Sequence, residues 1–322
     1  MNQNLEIRVG TRESELAVWQ ATYVQQLLKE RGYYSSLVYI KSEGDTDQKT
    51  PLYEMGVQGI FTKALDVALL NNRIDIAVHS MKDVPTAIPN GLIQAAVLKR
   101  ANQRDILVPH QRLSSAASDT HDEFTLADLN AEEPAVFSQA TIATSSLRRK
   151  AQWLNRFPHH KFENLRGNVN TRLEKLQSSD WHGAIFAAAG LERIGLRPSN
   201  AIEIDWMLPA PAQGAIMLTC RFNDQEVIDA AAKLNDERSE TCTKIERDFL
   251  RALSGGCSTP IGALAQYDRK EMFFMGNIVS VDGKEKVEIE KYAAPSEFHD
   301  LGTRMAYQLL ENGGREIAAK FR

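Results

Sequence analysis

Apolar positions change their period several times along this chain, and each change marks an element. Leu5-Glu6-Ile7-Arg8-Val9-Gly10 alternates like a strand. Gly10-Thr11-Arg12 then turns into a helix whose stripe runs through Leu16, Trp19, Tyr23 and Leu27, widened by Val24 and Leu28 and closed by Gly32. Leu37 to Ile40 reads as a second strand. Residues 43–59 form a polar, glycine-punctuated loop of the length found in lids and binding loops. A helix from about Ile60 to Asn71 follows, then a strand over Arg73 to Val78 that runs into His79-Ser80-Met81-Lys82-Asp83-Val84-Pro85.

Residues 111–138 are rich in Ser, Ala and acids with little periodicity, which predicts a surface excursion with a short helix near Leu126 to Leu129. Three units of one design come next. Thr141 to Thr144 is strand-like and leads into Ser145-Ser146-Leu147-Arg148-Arg149-Lys150, a serine-capped helix start. Phe162 to Asn168 leads into a helix near Val169 that carries Arg172, and Gly183 to Gly190 leads into Leu191-Glu192-Arg193. Repeated βα units build a parallel sheet whose strand ends lie side by side. After Pro209-Ala210-Pro211 the strand Gln213 to Cys220 is expected to complete the first sheet. Helices over Asp224 to Asn235 and Ser239 to Leu253 follow. Strands at Ile261 to Tyr267, Met272 to Val281 and Val287 to Tyr292, with a hairpin turn at Asp282-Gly283, and a helix from Ser296 to Leu310 make a small α+β domain.

At 322 residues the chain has room for two or three domains, and 25% charged with 43% hydrophobic residues fits an ordinary globular protein. A net charge of -4 gives no general reason to bind nucleic acid. Cys220, Cys242 and Cys257 cannot all pair and match no metal spacing, which suggests a reducing compartment and no metal. Cys220 and Cys242 read as packed residues. The start Met1-Asn2-Gln3-Asn4 lacks a basic region with an apolar run behind it, and no apolar run approaches membrane-spanning length, so the cytoplasm is the expected location.

Charge distribution changes this bland picture. Residues 144–197 hold ten Lys/Arg against four Asp/Glu, net +6 inside a chain of net -4. Arg148, Arg149, Arg166, Arg172 and Arg193 stand at or just past equivalent strand–helix junctions, so they should converge on one cleft and bind a polyanion. Arginine's planar fork suits carboxylate or phosphate. No Walker-type phosphate loop is present, and few aromatics lie among these arginines, so several carboxylates on one ligand is the simplest fit. Arg12 also sits between a strand end and a helix start; an anion ligand and a solvated first-turn arginine remain equal readings. Ser80, Lys82 and Asp83 follow a strand end where ligands bind in α/β sheets, although Ser80 with Asp83 also imitates a helix cap. His79 reads as a packed histidine. Cys257 falls in the loop Leu253-Ser254-Gly255-Gly256-Cys257-Ser258-Thr259-Pro260-Ile261-Gly262, where glycines and Pro260 favour an accessible thiol; Gly-Gly-Cys alone would favour a stray surface cysteine.

Taken together, VGTRESELAVWQ, QGIFTKALD, DIAVHSMKDVPT, ATSSLRRKAQ, LRGNVNTRL, AAAGLERIGL, PAPAQGA and GGCSTPIGA resemble the porphobilinogen deaminase (hydroxymethylbilane synthase) family, in order, over some 260 residues. The resemblance implies an α/β protein with two periplasmic-binding-protein-like (type II) domains, a cleft between them, and a small C-terminal α+β domain. Expected boundaries are 1–101 with a return segment 213–236, 104–211, and 238–322. It implies a monomeric enzyme with no nucleic-acid or membrane partner. Its substrate would be porphobilinogen and its cofactor a dipyrromethane group held by a thioether to Cys257. Asp83 resembles the catalytic aspartate. Arg12, Ser80, Lys82, Thr144, Ser145, Ser146, Arg148, Arg149, Arg166, Arg172 and Arg193 resemble the groups that bind the acetate and propionate side chains, and Phe61 the aromatic that packs on a pyrrole ring. In such a reaction porphobilinogen loses ammonia to give a cationic azafulvene, and one carboxylate can accept pyrrole N–H bonds and offset that charge. Glu54 and Gln58 stand where relatives often carry lysine, while Ala143, Asn170 and Ala212 replace glycines.

Two other readings compete. A non-catalytic polycarboxylate-binding protein would share the two-domain cleft but would carry no covalent adduct. A cysteine hydrolase using Cys257 would need a histidine base, and none of the seven histidines lies in a recognisable base motif.

Overall fold

The computed structural model describes residues 6–41, 62–111, 140–256 and 259–321. The chain begins with β1 (Glu6–Thr11), α1 (Glu15–Glu30), β2 (Tyr34–Tyr39), α2 (Lys63–Leu70), β3 (Ile76–Ser80) and β4 (Leu92–Val97). A short 3-10 turn, Met81–Asp83, follows β3 directly. A second set comprises β5 (Asp105–Pro109), β6 (Thr141–Ala143), α3 (Leu147–Arg156), β7 (Lys161–Glu163), α4 (Val169–Gln177), β8 (Gly183–Ala187), α5 (Ala188–Arg193) and β9 (Ile202–Glu203). The chain then returns through β10 (Ile216–Arg221), α6 (Gln225–Ala232) and α7 (Glu237–Ala252). It ends with β11 (Ile261–Asp268), β12 (Glu271–Val279), β13 (Lys286–Ala293), α8 (Leu301–Leu309) and α9 (Arg315–Ala319).

Two five-stranded sheets share one plan. The first has the order β2-β1-β3-β10-β4 and the second β7-β6-β8-β5-β9. In each, three parallel strands are followed by one antiparallel strand and an outer edge strand. This repeated α/β plan, with a separate three-stranded antiparallel sheet β11-β12-β13, is the architecture expected from the sequence. The second sheet is mixed, where the βα repeats alone suggested a parallel one, because β5 enters it antiparallel to β8.

Local chemistry explains the elements. The stripe of α1 buries Ala17, Ala21, Val24 and Leu28, and Gly32 (φ 82) lets Tyr33 N–H reach back to the Leu28 carbonyl, closing the helix. Ser146 caps α3 by accepting the Arg149 N–H. The 213–220 stretch is strand only from Ile216, since Gly214 (φ 87) and the turn Ala212–Ala215 delay pairing. The closing helix expected over 296–310 is broken: Pro295–Glu297 is a 3-10 turn, and α8 starts at Leu301. Cys220 lies in the core of the first sheet and Cys242 in that of the third, as expected.

The two sheets join where residues 98–104 run beside 207–215. Ala101 donates its N–H to the Gly214 carbonyl at 3.1 Å. Arg100 donates to the Gln213 carbonyl and pairs with buried Glu246 of α7, which also accepts the Ala212 N–H at 2.6 Å. The third sheet touches the second where Asn277 donates to Gln152 and Asn155 to the Gly283 carbonyl. Among the described residues, no helix is long and apolar enough to cross a membrane.

Candidate active site

Strand β3, central in the first sheet, ends on Ser80 at the sheet's C-terminal edge, and the 3-10 turn Met81–Asp83 lifts Lys82 and Asp83 out of the ladder. Ser80 makes no helix-cap bond with its side chain; its hydroxyl accepts from Gln20 of α1 at 2.9 Å. Arg12, Ser80 and Asp83 line one small cavity with Gln20, Thr62 and His79. His79 is buried with Nε2 3.2 Å from the Thr219 hydroxyl. Burial first, and Arg12 second, push its pKa down to about 3, so it stays neutral, as a packed histidine should.

The second sheet brings its arginines to the same place. Lys82 senses Asp83, Arg149, Asp105 and Arg148, and Arg172 of α4 senses Arg149, Asp83 and Arg166. Burial pushes Lys82 down to about 8, opposed by Asp83, and pulls Arg172 down to about 10, still charged at neutral pH. Lys82 also lies 3.5 Å from the Gln213 side-chain oxygen, which ties the turn to the crossing segment.

Asp105, at the start of β5, organises the centre of this cluster. It is fully buried and pairs with Arg148 at 2.7 Å and Arg149 at 2.8 Å, while Gln213 donates to it at 3.0 Å. Burial alone would raise its pKa, but the two arginines hold it well below the carboxylate range. Arg148 also donates to the Leu208 carbonyl and Arg149 to that of Ile185. Both are therefore framework of the cleft wall as well as charge within it. Sequence reasoning missed Asp105 and Gln213. The one available signal was an acid opening an apolar run, Asp105-Ile106-Leu107-Val108, where a buried carboxylate requires cationic partners.

The remaining candidates divide. Arg166 is buried at the turn before α4, and Lys175 donates to its carbonyl. Arg172 donates to the Gly167 carbonyl at 2.7 Å. Thr144, Ser145 and Ser146 are occupied in shaping their loop: Thr144 Oγ1 accepts from Ser146 N–H, and Ser145 donates to the Leu165 carbonyl at 2.6 Å. Arg193 turns toward the crossing instead, donating to the Gly214 carbonyl at 2.7 Å and standing 5.8 Å over the Trp19 ring. Phe61, Cys257, the 43–59 loop with Glu54 and Gln58, and nearly all of 111–138 lie outside the described residues.

Two family models match the chain along most of its length. The model described as "Porphobilinogen deaminase, dipyromethane cofactor binding domain" matches residues 7–229, and "Porphobilinogen deaminase, C-terminal domain" matches 240–311. The chain belongs to the porphobilinogen deaminase family. Porphobilinogen deaminases from Syntrophotalea carbinolica, Syntrophomonas wolfei and Nitratiruptor sp. are 39%, 38% and 36% identical to it. These matches cover 97%, 98% and 97% of this chain and 95%, 99% and 96% of the relatives. Among solved structures, the VFT2 domain of Bordetella pertussis BvgS matches 71% of this chain and 85% of its own at 13% identity and a TM-score of 0.40.

The matched family model is that of a dipyrromethane cofactor binding domain, and the cation-rich donor set suits a group that carries acidic side arms. The linked cluster holds five cations, Lys82, Arg148, Arg149, Arg166 and Arg172, against the two carboxylates Asp83 and Asp105. That surplus persists after Arg148 and Arg149 have paired with Asp105. Lys82 and Arg172 feel the Asp83 charge, Arg166 feels Arg172, and Arg12 and Ser80 line a cavity with Asp83.

Proposed function

We propose that this chain deaminates porphobilinogen and joins four such units head to tail on a dipyrromethane primer, then releases linear hydroxymethylbilane by hydrolysis. The observation that carries the reading is the position of Asp83. It stands on a turn at the sheet edge, with cations from both sheets about it. A dipyrromethane group, when bound, supplies the free pyrrole α-carbon that attacks. The protein's part is to hold, orient and move protons. Lys82, Arg166, Arg172 and Arg12 fix the acidic side arms, so that coupling becomes effectively intramolecular. Asp83 accepts pyrrole N–H bonds, balances positive charge developing as ammonia leaves, and carries a proton between steps.

In this reading Cys257 is the attachment point, four residues beyond Leu253, the C-cap of α7. Phe61 packs on a pyrrole ring. The domains fall at 1–101 with 213–236, at 104–211 and at 238–322, and the enzyme works as a cytoplasmic monomer. A non-catalytic carboxylate receptor would have no use for a proton-handling group among the cations, and no observation favours it.

Asp83→Asn tests the reading. The variant should keep its two-pyrrole adduct by intact mass yet lose at least roughly a hundredfold in kcat, the scale of a general acid–base contribution. Wild-type kcat in that variant would remove Asp83 from the chemistry.

A further inference from the structure

The turn that carries Asp83 is seated on the crossing segment by Met81 and Val84, which pack with Val97, Ala212, Ala215 and Met217. Within Met81–Pro85 the Val84 N–H donates to the Met81 carbonyl at 3.1 Å, and Pro85 has no N–H to offer. On the sheet side, Met81 donates its N–H to the Ala215 carbonyl at 3.0 Å. On the opposite side lies a cavity of about 520 Å³, bordered by Met81, Thr86 and Ile88 on one flank and by Glu240, Lys244 and Phe298 on the other.

Across this gap reaches Arg247 of α7. It is 7% exposed, and its guanidinium donates to the carbonyls of Met81 at 3.3 Å, Val84 at 2.8 Å and Pro85 at 2.6 Å. One helical turn later Arg251 donates to the Thr86 carbonyl at 2.8 Å. A rigid fork with charged donors that bridges three carbonyls on successive parts of a turn fixes its curvature as well as its position.

We infer that Arg247 is a positioning residue for Asp83: through its three hydrogen bonds, α7 sets where the proposed catalytic carboxylate stands. The inference rests on the function proposed above. It also gives the third domain a second task. The helix that leads to the proposed tether loop is the same helix that grips the proposed catalytic turn, so the base of the growing chain and Asp83 are held by one strut.

The experiment uses purified full-length protein carrying its adduct, with porphobilinogen as substrate. Arg247→Gln should keep the adduct mass and a KM within about twofold of wild type, while kcat falls by roughly tenfold to a hundredfold, the scale of a small misplacement. Arg247→Lys, which retains a cation with three donors, should recover part of kcat. Phe274→Leu, in the core of the third domain away from the turn, serves as a control of reduced stability and should keep wild-type kcat. Unchanged kcat in Arg247→Gln, or equal loss in Arg247→Gln and Phe274→Leu, overturns the inference. If Arg247→Gln does not fold, Arg247→Lys decides: lowered kcat at unchanged KM supports it, and unchanged kcat overturns it. A wild-type protein that consumes no porphobilinogen would instead refute the functional reading.

Discussion

Asp105 shows how a buried charge constrains its neighbours. Removing the carboxylate would leave Arg148 and Arg149 side by side without their shared counter-ion in a buried site. Asp105→Asn should therefore cost about 3–5 kcal/mol of unfolding free energy by urea titration, the range for breaking a buried pair from one side. Lys82 makes a different prediction. Its pKa is depressed from 10.5 to about 8, so between these values the unfolded state binds more protons than the folded one. Burying the charged ammonium is a full penalty below about pH 8, and stability gains from its relief as pH rises toward 10.5. Binding should move the opposite way: the lost charge weakens the grip on substrate carboxylates, so KM for porphobilinogen should climb as pH passes about 8. Lys82→Arg should flatten that limb; an identical rise in Lys82→Arg would assign it to another group. The sequence showed the arginines and their common junctions. It could not show that two of them are engaged by an acid more than 40 residues earlier, because ion-pair partners are set by tertiary approach.

At the scale of elements, the βα units at Thr141, Phe162 and Gly183 were legible because each repeats strand, small-residue turn and helix. Strands β4 and β5 were not anticipated. Leu92–Val97 and Asp105–Pro109 are short runs without strict alternation, and β5 is buried along its whole length, so period alone does not separate them from helix or loop. The crossing between the sheets holds the other surprise. Ala212, fully buried, has φ 63, a left-handed conformation that suits glycine. Ala212→Gly should relieve that strain, and the gain should outweigh the added chain entropy by up to about 1 kcal/mol in a urea titration. Gly214 predicts the reverse: at φ 87, an added Cβ would lie 2.7 Å from the Ala101 carbonyl oxygen. Gly214→Ala should lower stability by about 1–3 kcal/mol and loosen the join of the two sheets. If the two variants shift stability alike, backbone strain is not what distinguishes these positions.

Over the whole molecule, two sheets of one plan supply opposite sides of a cationic site, and a third unit braces the turn between them. Resemblance over eight blocks made the division into two α/β units and a small third one legible in the sequence, since motif order along a chain preserves the order of its units. The bracing was not readable, because Arg247 looks in sequence like one more charged residue on a long helix. The central claim is that an oligomer grows while bound covalently at Cys257. Intact-mass spectrometry of the purified chain, before and after adding less than four equivalents of porphobilinogen, tests it most directly. The account predicts a polypeptide heavier than its sequence by one two-pyrrole unit, then a ladder of species each heavier by one porphobilinogen less ammonia, with every increment absent in Cys257→Ala. A wild-type chain that makes hydroxymethylbilane while its mass stays at that of the bare polypeptide would contradict it.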